Sequence, residues 1–102
     1  MLPLIYEVCS KLPKDENYNI ISQMKRAGLS VSNNLAEGAS RKTKPEKKRF
    51  FEISRSSIVE IDNCLTAIMV LNYLTEKDLV AINIALVELF KLISGLIDSN
   101  NQ

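Results

Sequence analysis

Histidine and tryptophan are absent from this chain, and glycine, proline and cysteine are scarce, with three, three and two residues among 102. Without histidine the chain lacks the most common general base and the most common transition-metal ligand. The few glycines and prolines leave little material for the many tight turns of an all-β fold. These absences favour a helical protein and argue against an enzyme.

Sequence motifs for catalysis or metal binding are also missing. There is no HExxH motif, no glycine-rich phosphate loop and no pair of closely spaced cysteines. The acids Glu37, Glu60 and Glu88 are isolated, whereas a di-metal helical bundle uses Glu-x-x-His pairs that face inward. We therefore expect no catalytic residue, no metal site and no cofactor.

The two cysteines and the N-terminal residues bear on the cellular compartment. Cys9 and Cys64 are too few for a disulfide framework, and each falls among apolar residues. We expect reduced, buried thiols, with a mutual disulfide or a reactive thiol as the alternative. The N-terminus has no basic region of a signal peptide, and no uncharged apolar run reaches the roughly 18 residues of a membrane span. The sequence predicts a cytoplasmic protein without a membrane partner.

What the chain does have is apolar material in helical repeats. Hydrophobic residues make up 46% of it and charged residues 25%, enough for one core in a single domain of residues 1–102. A fourth helix is predicted from about 76 to 97, after a capping box from Thr75 to Asp78. Its apolar residues recur every three or four positions, as in a heptad pattern: Leu79, Ile82, Leu86, Leu89, Ile93 and Leu96. Its apolar face is widened by Val80, Ile84, Val87, Phe90 and Ile97.

The same spacing predicts two further long helices. The third is expected from Pro45 to Asn72, with Phe50, Ser54, Ser57, Ile61, Cys64, Ile68 and Leu71 on one face. The second is expected from about Asn17 to Glu37, with Gly38 as a left-handed C-terminal cap. The small residues near Gly28 would allow a neighbouring helix to approach closely.

The first helix is predicted to be short, because Pro13 follows Leu12 after only about ten helical residues. Short connections place consecutive helices antiparallel. The predicted fold is therefore an all-α, antiparallel up-down-up-down four-helix bundle with a short first helix. Such a bundle leaves an apolar groove uncovered, and large exposed apolar patches are uncommon on monomers. We therefore expect a homo-oligomer.

Charge is distributed unevenly along the chain, although the net charge is only +1. Residues 1–40 are neutral overall, and residues 56–102 carry a net charge of −4. Residues 41–55 carry seven cations and two acids, a net charge of +5. Cations in this loop and helix start can reach phosphate oxygens and displace counterions. The candidate nucleic-acid-binding residues are Arg41, Lys42, Lys44, Lys47, Lys48 and Arg49.

An ordinary solvated surface is the alternative interpretation of this basic region, since cations lie unfavourably at a helix N-terminus. The nearby Phe50 and Phe51 are expected in the core, so base stacking is not predicted. Contact with the nucleic-acid backbone, without base recognition, is the expected mode. Glu37 and Arg41, four residues apart, are expected to form a salt bridge or a helix cap.

Four stretches of the chain resemble one known family: LPKDENY at 12–18, QMKRA at 23–27, NNLAEG at 33–38 followed by Arg41, and RFFEI at 49–53 with Ser57 and Glu60. Their order and spacing resemble the bacterial 23S rRNA intervening-sequence proteins, which are related to the accessory protein of diversity-generating retroelements. The resemblance covers nearly the whole chain. It implies an antiparallel four-helix bundle that assembles into a ring-like homo-oligomer, typically a pentamer, with a non-enzymatic role associated with RNA or DNA. Family members usually have a longer first helix upstream of the position matched by Ile5.

Two functions follow as hypotheses. The first is an oligomeric bundle that associates with RNA or DNA through the basic region. The second is a homo-oligomeric scaffold that docks another protein, such as a polymerase. The dependence of binding on salt concentration distinguishes the two hypotheses. Binding to phosphates weakens steeply as salt rises, whereas binding at an apolar protein interface does not weaken in this way.

Overall fold

A computed structural model describes residues 1–101 as four α-helices joined by short connections. The helices are α1 (Leu2–Ser10), α2 (Ile20–Ser40), α3 (Lys44–Val70) and α4 (Val80–Ser99). Two short 3-10 turns, Lys14–Glu16 and Glu76–Leu79, precede α2 and α4. The described residues form no strand, so the predicted all-α fold with a short first helix is confirmed.

The hairpin of α2 and α3 forms the centre of the bundle. Ser54 is fully buried between the two helices, and its hydroxyl donates to the Val31 carbonyl at 2.9 Å. The Ser57 hydroxyl donates to Ser30 Oγ at 2.8 Å. These small side chains let α2 and α3 approach closely while each buried hydroxyl keeps a partner. α4 packs along α3 and completes the core, whose fully buried side chains include Ile5, Met24, Ile61, Ile68, Leu79, Ile82 and Ile93.

The short α1 crosses α2 at Gly28. A Cβ atom at Gly28 would lie only 2.6 Å from Ile5 Cδ1 and 2.9 Å from Leu2 Cδ2. The small residues predicted on α2 therefore form the surface against which α1 packs. The connection between α1 and α2 contains the 3-10 turn Lys14–Glu16, so α2 begins at Ile20 rather than at about Asn17 as predicted. Glu16 lies buried there and accepts hydrogen bonds from Asn19 and Tyr73, both at 3.2 Å.

The predicted left-handed cap at Gly38 is wrong. α2 continues to Ser40, and none of the glycines in residues 1–101 has a positive φ. Gly38 instead lies beneath the Phe51 ring, where a Cβ atom would be 2.6 Å from Phe51 Cε1. The residue at 38 is small because an aromatic ring occupies the space of a side chain.

The left-handed residue occurs instead at the end of α3, at Asn72, with φ of 60°. The Tyr73 N–H bonds to the Ile68 carbonyl at 3.0 Å, which closes the last turn as in a Schellman motif. Asparagine tolerates this conformation better than other non-glycine residues. α3 therefore ends at Val70, two residues before the predicted end.

The predicted capping box ahead of α4 is confirmed. Asp78 Oδ2 accepts hydrogen bonds from the Thr75 N–H at 2.8 Å and from the Thr75 hydroxyl at 2.9 Å. These two donors hold the pKa of Asp78 below its ordinary value of 3.8. At the start of α3, Thr43 Oγ1 accepts from the Glu46 N–H at 3.3 Å, so one threonine caps α3 and another caps the 3-10 turn that leads into α4.

Replacing Gly38 and Gly95 by alanine is expected to change stability in opposite directions. A Cβ atom added at Gly95 in α4 would have no neighbouring atom within 4 Å, so alanine should stabilise the helix by about 0.5 to 1 kcal/mol. At Gly38 the same helical gain is opposed by a clash with a rigid ring, which costs about 1 to 3 kcal/mol. Urea denaturation of both variants measures the difference. A Gly38→Ala protein as stable as Gly95→Ala would contradict the packing described for Phe51.

Much of α4 stays uncovered in the single chain. Met1, just before α1, lines a pocket together with Ala85 and Leu92 of α4. Of the residues predicted to widen the apolar face of α4, Ile97 is buried and four are exposed: Val80, Ile84, Val87 and Phe90. The single chain therefore leaves an apolar face of α4 exposed to solvent.

The same helix meets the requirements of length and composition for a membrane span. The segment that meets them, Glu76–Ser99, consists of the 3-10 turn and α4. In its most apolar window of 18 residues, 22% of the residues are buried in the bundle. No such span was predicted from the sequence, because Glu88 and Lys91 interrupt the apolar run. Length and composition alone are weak evidence for a membrane. The structural finding is a long apolar helix with an open face.

Candidate nucleic-acid interface

The six predicted cations lie together at one end of the bundle. Arg41 and Lys42 are in the loop between α2 and α3, and Lys44, Lys47, Lys48 and Arg49 are in the first turns of α3. We call Arg41–Arg49 the basic segment. Within it, Glu46 is the only acidic residue. The fold therefore preserves the local charge excess that the sequence suggested.

Two of the six cations are bound by other groups of the same chain, and we call them engaged. The first is Arg41, whose Nη2 lies 3.0 Å from Glu37 Oε2 and whose Nη1 lies 4.0 Å from Glu46 Oε2. The predicted salt bridge between Glu37 and Arg41 is thus confirmed. Because these groups are about half exposed, each pair contributes little to stability. The pairing does lower the net charge that Arg41 presents to a ligand.

The second engaged cation, Lys47, serves as a cap for α2. Its Nζ donates to the Ala39 carbonyl at 3.0 Å and to the Gly38 carbonyl at 3.4 Å. Carbonyls in the last turn of a helix lack intrahelical donors and carry partial negative charge, so a lysine stabilises them. The sequence pattern had grouped Lys47 with the phosphate-binding cations. No local pattern reveals a contact across a loop with carbonyls eight and nine residues back.

Four cations remain without an acidic partner. Within residues 1–101, no carboxylate oxygen lies within 4.0 Å of the charged nitrogens of Lys42, Lys44, Lys48 or Arg49. Three of these side chains are exposed and Lys48 is half-buried. We call Lys42, Lys44, Lys48 and Arg49 the free cations. Arg55, the seventh cation of the region, donates to Ser94 Oγ at 3.2 Å and therefore belongs to the contact between α3 and α4.

The two adjacent phenylalanines have different surroundings. Phe51 is buried in the core beneath α2, as predicted. Phe50 is only half-buried, and it is not among the described side chains that pack against the core. The guanidinium carbon of Arg41 lies 4.7 Å from the centre of its ring, and that of Arg49 lies 5.8 Å from it. The prediction that Phe50 belongs to the core is wrong. The rotation of α3 about its own axis places position 51, and not position 50, toward the core.

Residues 1–101 contain no group of three or more His, Cys, Asp or Glu side chains arranged to hold a metal ion. Cys9 and Cys64 are free and buried, and burial raises the pKa of both thiols above the ordinary value of 9.0. A thiol with a raised pKa is protonated at neutral pH and is a poor nucleophile.

An apolar groove runs between α3 and α4. Ile58, Val59 and Leu86 line it, with Val87 and Phe90 on its α4 side. Its polar edges are marked by Asp62 and Lys91. The groove is continuous with the exposed face of α4 described above.

Comparison with known protein families gives one match. The model of a family described as 23S rRNA-intervening sequence protein matches residues 2–95. The match includes all four helices up to the last turn of α4, and it includes the entire basic segment. No curated protein matches the chain.

Proposed function

Because this chain belongs to the 23S rRNA-intervening sequence protein family, we propose that it is a non-enzymatic homo-oligomer that holds the backbone of RNA or DNA against its basic segment. The observation that carries this proposal is the group of four free cations at one end of the bundle. They have no acidic partner within residues 1–101, while Arg41 and Lys47 already bind Glu37 and the carbonyls at the end of α2. Lys42, Lys44, Lys48 and Arg49 are therefore available to a ligand.

The position of the free cations favours an anionic partner. Lys44, Lys48 and Arg49 lie in the first two turns of α3, where the helix dipole is positive. Cations at this end raise the electrostatic energy of the free protein, and phosphates relieve that repulsion by binding. Release of condensed counterions then provides affinity that does not depend on sequence. Phosphates fix the position of the nucleic acid without reading its bases.

Self-association is proposed through the exposed face of α4. Val80, Ile84 and Val87 follow one another at helical spacing on this face, and the groove beside α3 extends it. Removing apolar area from water contributes about 25 cal/mol per Å² to association, before the entropic cost of bringing the subunits together. The family resemblance suggests a pentamer. A closed ring repeats the basic segment once per subunit and so concentrates charge that a single chain, at +1, lacks.

A second copy is a better partner for this face than lipid. Glu88 and Lys91 lie near the middle of α4 and are exposed. In a spanning helix both would sit near the bilayer centre, at a cost of about 2.5 kcal/mol or more each. In a protein interface they remain at the polar rim. We therefore place the protein in the cytoplasm.

The test of the proposed function is the mass of the purified protein in solution, with absorbance at 260 nm recorded on the same peak. We expect a mass that is a multiple of 11.5 kDa, together with bound nucleic acid at about 50 mM salt that is lost steeply as salt rises. A compact monomer would contradict the oligomer. Absence of binding to added RNA and DNA at low salt would contradict the interface.

A second function is favoured by the apolar groove between α3 and α4. If self-association leaves this groove open, it would accept an apolar segment of another protein, such as a polymerase. Such a complex would survive high salt and would be lost when Val59 or Phe90 is replaced by a charged residue. Nucleic-acid binding would be unchanged by the same replacements.

A further inference from the structure

Phe50 occupies an unusual position for a phenylalanine. It lies directly after the basic segment, outside the group of side chains that form or contact the core, and the guanidinium groups of Arg41 and Arg49 lie over its ring. Burial of a phenylalanine in a core contributes roughly 1.5 to 3 kcal/mol. Phe50 is half-buried and gains only part of this.

The folded chain does not need Phe50 to hold either arginine. Arg41 has a second partner besides the ring, since its Nη2 lies 3.0 Å from Glu37 Oε2. Arg49 is exposed, and its 5.8 Å separation from the ring centre is close to the roughly 6 Å limit of a cation–π contact. The contact with Arg49 is therefore the weaker of the two, and a planar ligand can replace it.

We propose that Phe50, with Arg49, forms a stacking site for an unpaired nucleobase. The proposal rests on the proposed function, and it adds the class of ligand: single-stranded, bulged or looped nucleic acid rather than continuous duplex. The base stacks on the Phe50 ring at the position of the Arg49 guanidinium. Arg49 then turns to the phosphate of the same nucleotide, and Lys42, Lys44 and Lys48 bind neighbouring phosphates.

The chemistry of each partner fits this arrangement. Every base has a π-face, so stacking on an aromatic ring tolerates any sequence. A guanidinium both stacks on planar groups and forms bidentate bonds to phosphate, which a lysine ammonium does not. Bases in a continuous duplex are already stacked on each other and cannot reach the ring. This site therefore adds a preference that cations alone do not provide.

The test compares two strands of equal phosphate content. One is a 12-nucleotide adenine oligomer, and the other has the same backbone with its central bases removed as abasic sites. The whole protein is titrated with each strand, in ribose and in deoxyribose form, and with a duplex of the same length. We expect the base-bearing single strand to bind about tenfold tighter than the abasic strand. The sugar form with the larger difference identifies RNA or DNA as the preferred source.

Two variants locate the effect. Phe50→Leu keeps an apolar residue and removes the ring, and we expect it to lose about tenfold in affinity for the base-bearing strand and almost nothing for the abasic strand. Arg49→Lys keeps the charge and should lose part of the same preference. Tyr6→Leu is the matched control. Its ring also lies beneath a cation, with Lys25 Nζ 4.5 Å from the ring centre, but Tyr6 is exposed and lies outside the basic segment.

The outcomes separate the stacking site from the interface as a whole. If both strands bind equally with the same dependence on salt, the stacking site is wrong and the phosphate-binding proposal stands. If neither strand binds at low salt, both proposals fail. Equal losses from Phe50→Leu and Tyr6→Leu would also refute the site. The comparison of strands on the unaltered protein requires no variant, so a variant that fails to fold leaves the test decisive.

Discussion

Replacing Lys42, Lys44 and Lys48 together by alanine is expected to weaken nucleic-acid binding by roughly a hundredfold or more at about 0.1 M salt. The three ammonium groups have no acidic partner within residues 1–101, so their loss leaves no unpaired carboxylate behind. Each lost phosphate contact removes about 0.7 to 0.9 from the slope of log affinity against log salt. Three contacts therefore lower the slope by about 2 to 3 for each subunit engaged.

The matched control for this triple variant has the same net charge. Lys14, Arg26 and Lys77 are exposed and lie outside the basic segment, and we expect their replacement by alanine to leave affinity nearly unchanged. Filter binding or fluorescence anisotropy at several salt concentrations measures both variants. Equal losses would mean that net charge, not the basic segment, determines binding. Lys47 is left in place because its role as the cap of α2 would mix stability with affinity.

Replacing Ile84 and Val87 together by lysine is expected to convert the oligomer into a monomer of 11.5 kDa. The two side chains are 55% and 54% exposed in the single chain, so the bundle itself should keep its fold and its helical circular dichroism. In the assembled state these positions are predicted to be buried. Lysines there would be desolvated without partners and would repel one another at each symmetry-related contact.

Leu29→Lys is the matched control, because Leu29 is 49% exposed on α2, away from the face of α4. Sedimentation velocity of the two variants measures the outcome. Dissociation by Leu29→Lys with no change in Ile84→Lys/Val87→Lys would place the interface on α2. The monomeric variant should also bind nucleic acid more weakly, since the proposed ring would present several basic segments to one strand and gain from their effective concentration.

Local sequence patterns were sufficient to predict the helices. Apolar residues every three or four positions identify α2, α3 and α4, because burial of one face gives a helix most of its stability. The threonine caps at Thr43 and Thr75 also act over three residues, within reach of a local pattern. Local patterns predicted the residues that end each helix less well. Gly38 was predicted to be the left-handed cap of α2, but the residue with left-handed backbone is Asn72, at the end of α3.

The candidate nucleic-acid-binding residues were predicted as a group and not individually. The charge excess of the basic segment is visible in the sequence because its six cations are consecutive or nearly so. The division of those cations into free and engaged depends on atoms brought near by the α2–α3 turn. Lys47 meets carbonyls of α2 eight and nine residues back, whereas the pairing of Arg41 with Glu37, four residues apart, was predicted from the sequence. Phe50 and Phe51 are adjacent and chemically identical, so composition cannot separate them.

The sequence by itself determined the number of helices, their approximate lengths, the short first helix and the position of the positive charge. Each of these depends on periodicity or on neighbours within a few residues. The tertiary structure alone decided which phenylalanine enters the core, which cations remain free and which face of α4 stays open. These outcomes depend on the rotation of each helix about its axis. Rotation is set by contacts between side chains distant in sequence, such as Ser54 with Val31 and Phe51 with Gly38.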